Sequence, residues 1–161
     1  MARILGIDPG SRATGFGLLE TASARPAVLA SGVLRPAAGL ALPDRLLVIH
    51  RGVRAWIGEH RPDLLAVETA FYSKNARSAL VLGHVRGVVL LAAREADLPI
   101  HEYAPREIKL ALTGNGGAAK EQVAFMVRGL LQLGPSQSLD ETDALAAAVC
   151  HWHRSRLTVL R

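Results

Sequence analysis

The sequence predicts a mixed α/β fold, one sheet carrying helices on both of its faces. Two observations predict it. Three strand-like runs come first, at residues 3–8, 15–20 and 27–34, joined by links short enough for antiparallel hairpins. Helical and strand-like segments then alternate, the pattern that adds further strands through helical crossovers. The first run is apolar and closed by Pro9-Gly10, so it reads as a buried strand followed by a turn. Pro43 opens a helical pattern with apolar Leu46, Ile49, Val53, Trp56 and Ile57, ending before Pro62. Residues 64–67 form a short strand leading to Glu68. A second helix spans 75–96, with Leu80, His84, Gly87, Val88 and Leu91 along one stripe, and 99–103 is a further strand. Residues 105–112 read as a short helix, 113–117 as a glycine-rich loop, 118–133 as a helix and 139–152 as the last one. With no repeat, low-complexity tract or long linker, residues 1–156 are expected to form one domain, with 157–161 a short C-terminal tail.

Composition narrows the class. Half of the 161 residues are apolar and 20% are charged, which excludes a disordered chain. The longest uninterrupted apolar run, residues 87–93, is too short to cross a membrane. The amino terminus enters a strand-like segment without a cleavage-site pattern, and Cys150 is the only cysteine. A soluble, cytoplasmic protein is the expectation. A net charge of +5 and an isoelectric point near 10.1 point to a polyanionic partner, nucleic acid ahead of anionic lipid. Only Lys74, Lys109 and Lys120 among the 19 basic residues are lysines, compact mobile charges unlike guanidinium.

The acids carry the chemistry. Asp8 and Glu68 are each the first charged residue after a run of apolar strand residues, so in parallel central strands they emerge at one end of the sheet. Either one alone reads first as a solvated strand-end acid capping loop amides, since strand ends often turn polar. Ser138 and Glu141 have capping-box spacing, and acids in a first helical turn suit the helix dipole. That accounts for Glu141. Asp143 begins the second turn, where aspartate is a poor helix former, and residues three apart share a helix face. Asp140 and Asp143 can therefore converge on one point. Four oxygen donors select a hard cation, magnesium or manganese, and two such ions suit in-line phosphoryl displacement. In a basic protein this combination reads as a nuclease.

Longer motifs join these residues. Gly6-Ile7-Asp8-Pro9-Gly10-Ser11-Arg12 with Thr14-Gly15-Phe16-Gly17 resembles the opening of the RuvC family of Holliday-junction resolvases. The similarity continues at Val67-Glu68, Phe71, Lys74-Asn75, Ser78-Ala79-Leu80, Gly83 and Arg86-Gly87. It resumes at Tyr103-Ala104-Pro105-Arg106, Lys109, the stretch ending in Lys120, and residues 140–146, in family order over nearly the whole chain. The resemblance implies a ribonuclease-H-like fold with a five-stranded mixed sheet, acting as a homodimer. It implies paired, symmetric, magnesium- or manganese-dependent cleavage of four-way DNA junctions in recombination and repair, with the RuvAB branch-migration complex as partner. The family's acidic quartet falls on Asp8, Glu68, Asp140 and Asp143, its junction-opening aromatic on Phe71, and its two functional lysines on Lys109 and Lys120. Asp140 stands where some relatives carry histidine.

Other residues are weighed by position. Arg12, Lys74, Arg77 and Arg106 lie beside the motifs and are candidate phosphate contacts, although lone basic residues are often solvated surface. Phe71 and Tyr72 are adjacent aromatics just after Glu68. Phe71 is the expected base-stacking residue, and Tyr72 is a weaker candidate for DNA contact. Cys150, His151 and His153 are spaced so that they cannot share a helix face, so no metal cluster is expected there. His84, on an apolar stripe, reads as a core or dimer-interface histidine. Two other functions fit parts of the chain. An ATP-dependent kinase-like module would explain the Asp8-Pro9-Gly10 loop, and a non-catalytic DNA-binding module would explain the charge but not the acids.

Overall fold

The computed structural model describes residues 2–22, 25–69 and 75–159, the last three as backbone only. Strands β1 (Arg3–Asp8), β2 (Thr14–Glu20) and β3 (Ala27–Leu34) form the expected antiparallel meander. β4 (Leu64–Glu68) pairs parallel with β1, and β5 (Ile100–Tyr103) parallel with β4. The five-stranded order is β3-β2-β1-β4-β5. The helices are α1 (Leu42–His60), α2 (Ala76–Glu95), α3 (Pro105–Thr113), α4 (Lys120–Leu131) and α5 (Leu139–Val159).

Side-chain alternation sorts each strand between two cores. Leu5, Ile7, Leu65 and Val67 pack with Ile49 and Val53 of α1 and Val85 and Val89 of α2. Ile4 and Ala66 face the other way, into a core containing Leu145, Ala148 and Val149 of α5. Two residues beyond Gly6 and Ala66 on this second face come Asp8 and Glu68. The period of two therefore delivers both acids to the α5 face, at the ends of adjacent parallel strands.

α5 is the central helix. Residues 144–150 are all at most 3% exposed, because the helix lies on the sheet and is flanked by α3 and α4. Glycines permit the close approach. A Cβ on Gly6 would stand 2.0 Å from the Ala144 carbonyl oxygen, and one on Gly15 would stand 2.0 Å from that of Asp140. No backbone here is left-handed; the glycines matter for space alone.

The elements depart from the sequence reading in three places. α4 starts at Lys120 rather than at residue 118. α5 continues to Val159, past the expected end at 152 and into the expected tail, since residues 153–159 contain no glycine or proline to stop it. α2 turns the other way from a simple reading of its stripe. Its buried residues are Val85, Val89, Ala92 and Ala93, while Leu80, His84, Gly87 and Leu91 are exposed. Because α2 is apolar on both faces, periodicity alone could not choose between them. His84 is thus no core residue. The same composition makes the 20-residue α2 the one described helix long and apolar enough to cross a membrane, which the shorter uninterrupted run did not suggest. Its inner face packs on α1, and Arg86 pairs with Glu102 of β5.

Cys150, His151 and His153 do not converge. Cys150 is buried, His153 hydrogen-bonds the Ala111 carbonyl at 2.8 Å, and His151 Nδ1 meets the Tyr103 hydroxyl at 2.7 Å. Burial, then the neighbouring His101, lowers the His151 imidazole from 6.5 to about 4. Cys150 and Arg154 also border this pair, Arg154 lying over the Tyr103 ring. Above pH 6.5 the imidazole is neutral in folded and unfolded chains alike, and its contribution to stability is complete. As the pH falls from 6.5 towards 4, the unfolded chain takes up a proton that the folded chain refuses. Stability should fall through this window by up to about 3 kcal/mol, then level off. Thermal melts across the window should show a flatter profile for His151→Gln than for the parent; parallel profiles would exclude His151 as the cause.

Candidate active site

Asp8 ends β1 and pairs across the ladder with Gly15, whose missing side chain leaves room for the Asp140 backbone. The carboxylate is pushed up to about 7, first by burial, then by Asp143 and Glu68; Lys120 acts in the opposite direction, and Asp140 adds a smaller push upward. Glu68 is raised for the same reasons, burial first and Asp143 second, with Lys120 and Lys109 opposing. Asp8 feels the other three acids, and Glu68 feels Asp143, through a poorly solvated space, so the four belong to one electrostatic site. Glu68, Lys109, Lys120 and Asp143 border a cleft of about 200 Å³ whose apolar wall includes Ile108, Val123 and Ala146.

The two acids of α5 carry direct basic partners. Lys120 Nζ, at the first residue of α4, lies 2.6 Å from Asp143 Oδ2, and this hydrogen bond raises the lysine's affinity for its proton. Arg35, just past β3, reaches Asp140 Oδ2 at 3.3 Å. The capping box at the start of α5 forms as expected: Glu141 Oε2 accepts from the Ser138 amide at 2.8 Å, and the Glu141 amide donates to Ser138 Oγ at 3.3 Å. Glu141 does more than cap, because its other oxygen accepts from Ser31 Oγ of β3 at 2.8 Å. Ser31 and Arg35 thus fasten the first turn of α5 to the sheet edge. Sequence reading missed both, since Ser31 lies 110 residues before Glu141 and Arg35 lies 105 residues before Asp140.

The structure brings Asp8, Glu68, Asp140, Asp143, Lys109 and Lys120 together. Arg12, Arg77 and Arg106 are exposed and stand apart from the cleft, in the segments that follow β1, β4 and β5. Because those strands are parallel, all three segments leave from the same end of the sheet as the acids. Phe71, Tyr72 and Lys74 lie outside the described residues.

Among the described residues, no group of three histidine, cysteine or acidic side chains is gathered tightly enough to hold an ion as it stands. The donor set still fits one. It is all oxygen, and its buried member, Asp8, is pushed up to about 7 first by burial and then by like charges, which a divalent cation would offset. Asp8, Glu68, Asp140 and Asp143 are the residues that would hold it.

A mixed five-stranded sheet with carboxylates collected on one face, under a helix that supplies two of them, defines a metal-dependent nuclease of the ribonuclease-H-like class. The family model described as crossover junction endodeoxyribonuclease RuvC matches residues 4–151. The RuvC of Alkalilimnicola ehrlichii is 49% identical over 155 residues, covering 96% of this chain and 93% of that protein. That of Acidobacterium capsulatum is 51% identical over 162 residues, covering 96% and 95%. Thermus thermophilus RuvC in complex with a Holliday junction substrate superposes with a TM-score of 0.90 at 35% identity, covering 98% and 97%. The chain belongs to the RuvC family of crossover junction endodeoxyribonucleases.

Proposed function

We propose that the chain resolves four-way DNA junctions by paired, symmetric phosphodiester cleavage, serving recombination and repair. The observation that carries this reading is the single cleft in which Glu68 and Asp143 meet Lys109 and Lys120, with Asp8 coupled to both acids. Anionic side chains alone would repel a phosphodiester. Two magnesium or manganese ions held by the four acids would neutralise them and stabilise the attacking and leaving oxygens of an in-line displacement. Asp8 and Glu68, set at the ends of rigid strands, orient the donor set; Asp140 and Asp143 close it from α5. Lys120, first in its helix and beside the glycine-rich loop, can turn its ammonium to the scissile phosphate and offset developing charge. Lys109 draws the phosphate in, and Arg12, Arg77 and Arg106, with Lys74, hold the arms by contacts that do not depend on sequence.

Paired cuts need paired sites. The exposed face of α2, with Leu80 at 65% and Leu91 at 55% exposed around Gly83, His84 and Gly87, supports a homodimer in which a second copy covers it. Family membership supports the RuvAB branch-migration complex as partner, and the lone buried thiol of Cys150 supports a cytoplasmic setting.

A mobile synthetic junction incubated with magnesium, manganese or chelator, and mapped at nucleotide resolution, tests the function. Symmetric nicks that need either ion support it. Junction binding without cutting, or ATP turnover, would overturn it. Phe71 is proposed to open the junction and to take no part in chemistry, since it is an aromatic three residues after Glu68 in sequence and matches the family's junction-opening position. Stacking on an unpaired base is worth about 1–3 kcal/mol, so Phe71→Ala should bind normally yet cut intact junctions roughly tenfold more slowly. On a junction with unpaired bases at the crossover most of that rate should return. A deficit of equal depth there would show that Phe71 shapes the site instead.

A further inference from the structure

Lys120 has a partner before any substrate arrives. Its Nζ lies 2.6 Å from Asp143 Oδ2, the shorter of the two ion pairs that the acids of α5 make among the described residues. Its charge also acts on Asp8 and Glu68, and in both cases it opposes the repulsion from the other carboxylates. The ammonium therefore pairs with one acid and offsets repulsion at two others, as a cation would. Arg35 stands differently, reaching Asp140 at 3.3 Å from just past the sheet-edge strand β3.

We propose that Lys120 is the internal counter-ion of the free site: it occupies the place of the cation at Asp143, and a divalent ion must displace it to bind. This inference rests on the reading of the four carboxylates as the metal-holding set. One residue then serves two states in turn. While the cleft is empty, its ammonium keeps four crowded carboxylates tolerable, which explains how the fold carries them with Asp8 and Glu68 both poorly solvated. Once a divalent ion takes Asp143, the ammonium is set free at the mouth of the cleft, where Lys120 is 63% exposed and can reach an incoming phosphate. Ion entry and the arming of the lysine become one exchange. The sign of the effect follows from Coulomb's law, because a unit positive charge within a few ångströms disfavours a divalent cation even in a water-like dielectric.

The test is Mn²⁺ binding to the DNA-free protein, followed by the paramagnetic resonance of the unbound ion at fixed ionic strength. Lys120→Ala should bind Mn²⁺ roughly tenfold more tightly than the parent, although it cuts junctions more slowly. Lys120→Arg, which keeps the charge, should stay close to the parent. In a protein carrying Asp143→Asn, adding Lys120→Ala should change the affinity less than twofold, since the contested carboxylate is gone. Lys109→Ala is the control for net charge. Lys109 borders the same cleft and acts on Glu68, but makes no ion pair with a described carboxylate. If Lys109→Ala tightens binding as much as Lys120→Ala, the effect is general charge and the counter-ion role is overturned. Unchanged or weaker binding by Lys120→Ala overturns it as well. Should the parent and Lys120→Ala both bind no Mn²⁺, the four-carboxylate reading itself falls with it.

Discussion

Asp8→Asn should abolish junction cleavage, by at least about 10³-fold, and leave junction binding intact. The substitution keeps the shape of the side chain and removes one anionic donor from the most repelled position in the site. Binding draws on the basic residues around the strand ends, which Asp8 does not touch, and in chelator it should tighten slightly as a negative charge near phosphate disappears. The same change should raise the melting temperature of the metal-free protein. Asp8 is held near 7 first by burial and then by the neighbouring acids, so a neutral amide relieves a cost that the folded chain bears at neutral pH. Loss of activity with gain of stability is the signature of a group retained for chemistry. Cleavage at the parental rate would remove Asp8 from the mechanism.

Gly15→Ala should lower cleavage by about 10²-fold while costing only about 1–3 kcal/mol of stability. Gly15 carries no catalytic group. Its Cα faces the first turn of α5, and a methyl there would stand 2.0 Å from the Asp140 carbonyl oxygen and 3.2 Å from its Cβ. Ordinary contact needs more than 3 Å, so the start of α5 must withdraw by an ångström or more. Asp140 and Asp143 move with it. Displacement on that scale is enough to spoil a reacting geometry, whereas the remainder of α5, buried from Ala144 onward, keeps the helix on the sheet. Rates measured under saturating junction, beside denaturant melts, separate the two effects. A variant that loses activity only in proportion to its unfolded fraction would show that the strand and helix are not held in this register.

Much of this was legible before the structure. The five strands and the mixed sheet follow from two short hairpin links and three buried runs, because chain connectivity leaves few other pairings. Asp8 and Glu68 were read from the ends of apolar runs and Asp140 and Asp143 from their shared helix face. The resemblance joined the four, and the period of two fixes the face of the strand pair. What was not legible depends on contacts between distant segments. Arg35 and Ser31 meet Asp140 and Glu141 only because β3 lies at the edge next to the start of α5. The outward side of α2 was hidden by leucines and valines on both of its faces. Nor does the spacing of Lys120 and Asp143 show that one side chain lies on the other; that contact arises where α4 and α5 pack together.

Helix α5 carries a further consequence. The same rod that presents Asp140 and Asp143 runs, from Ala144 to Cys150, through the driest part of the molecule. No glycine or proline interrupts the helix between the working end and the packed end, and at the other side of the cleft Asp8 and Glu68 terminate strands at the middle of the sheet. The carboxylates are therefore mounted at the ends of elements anchored in the core. Such a reaction centre is rigid in its frame. Adjustment to a crossover of changing sequence falls to the DNA and to the side chains around the rim, which meet the substrate while the cutting geometry stays fixed.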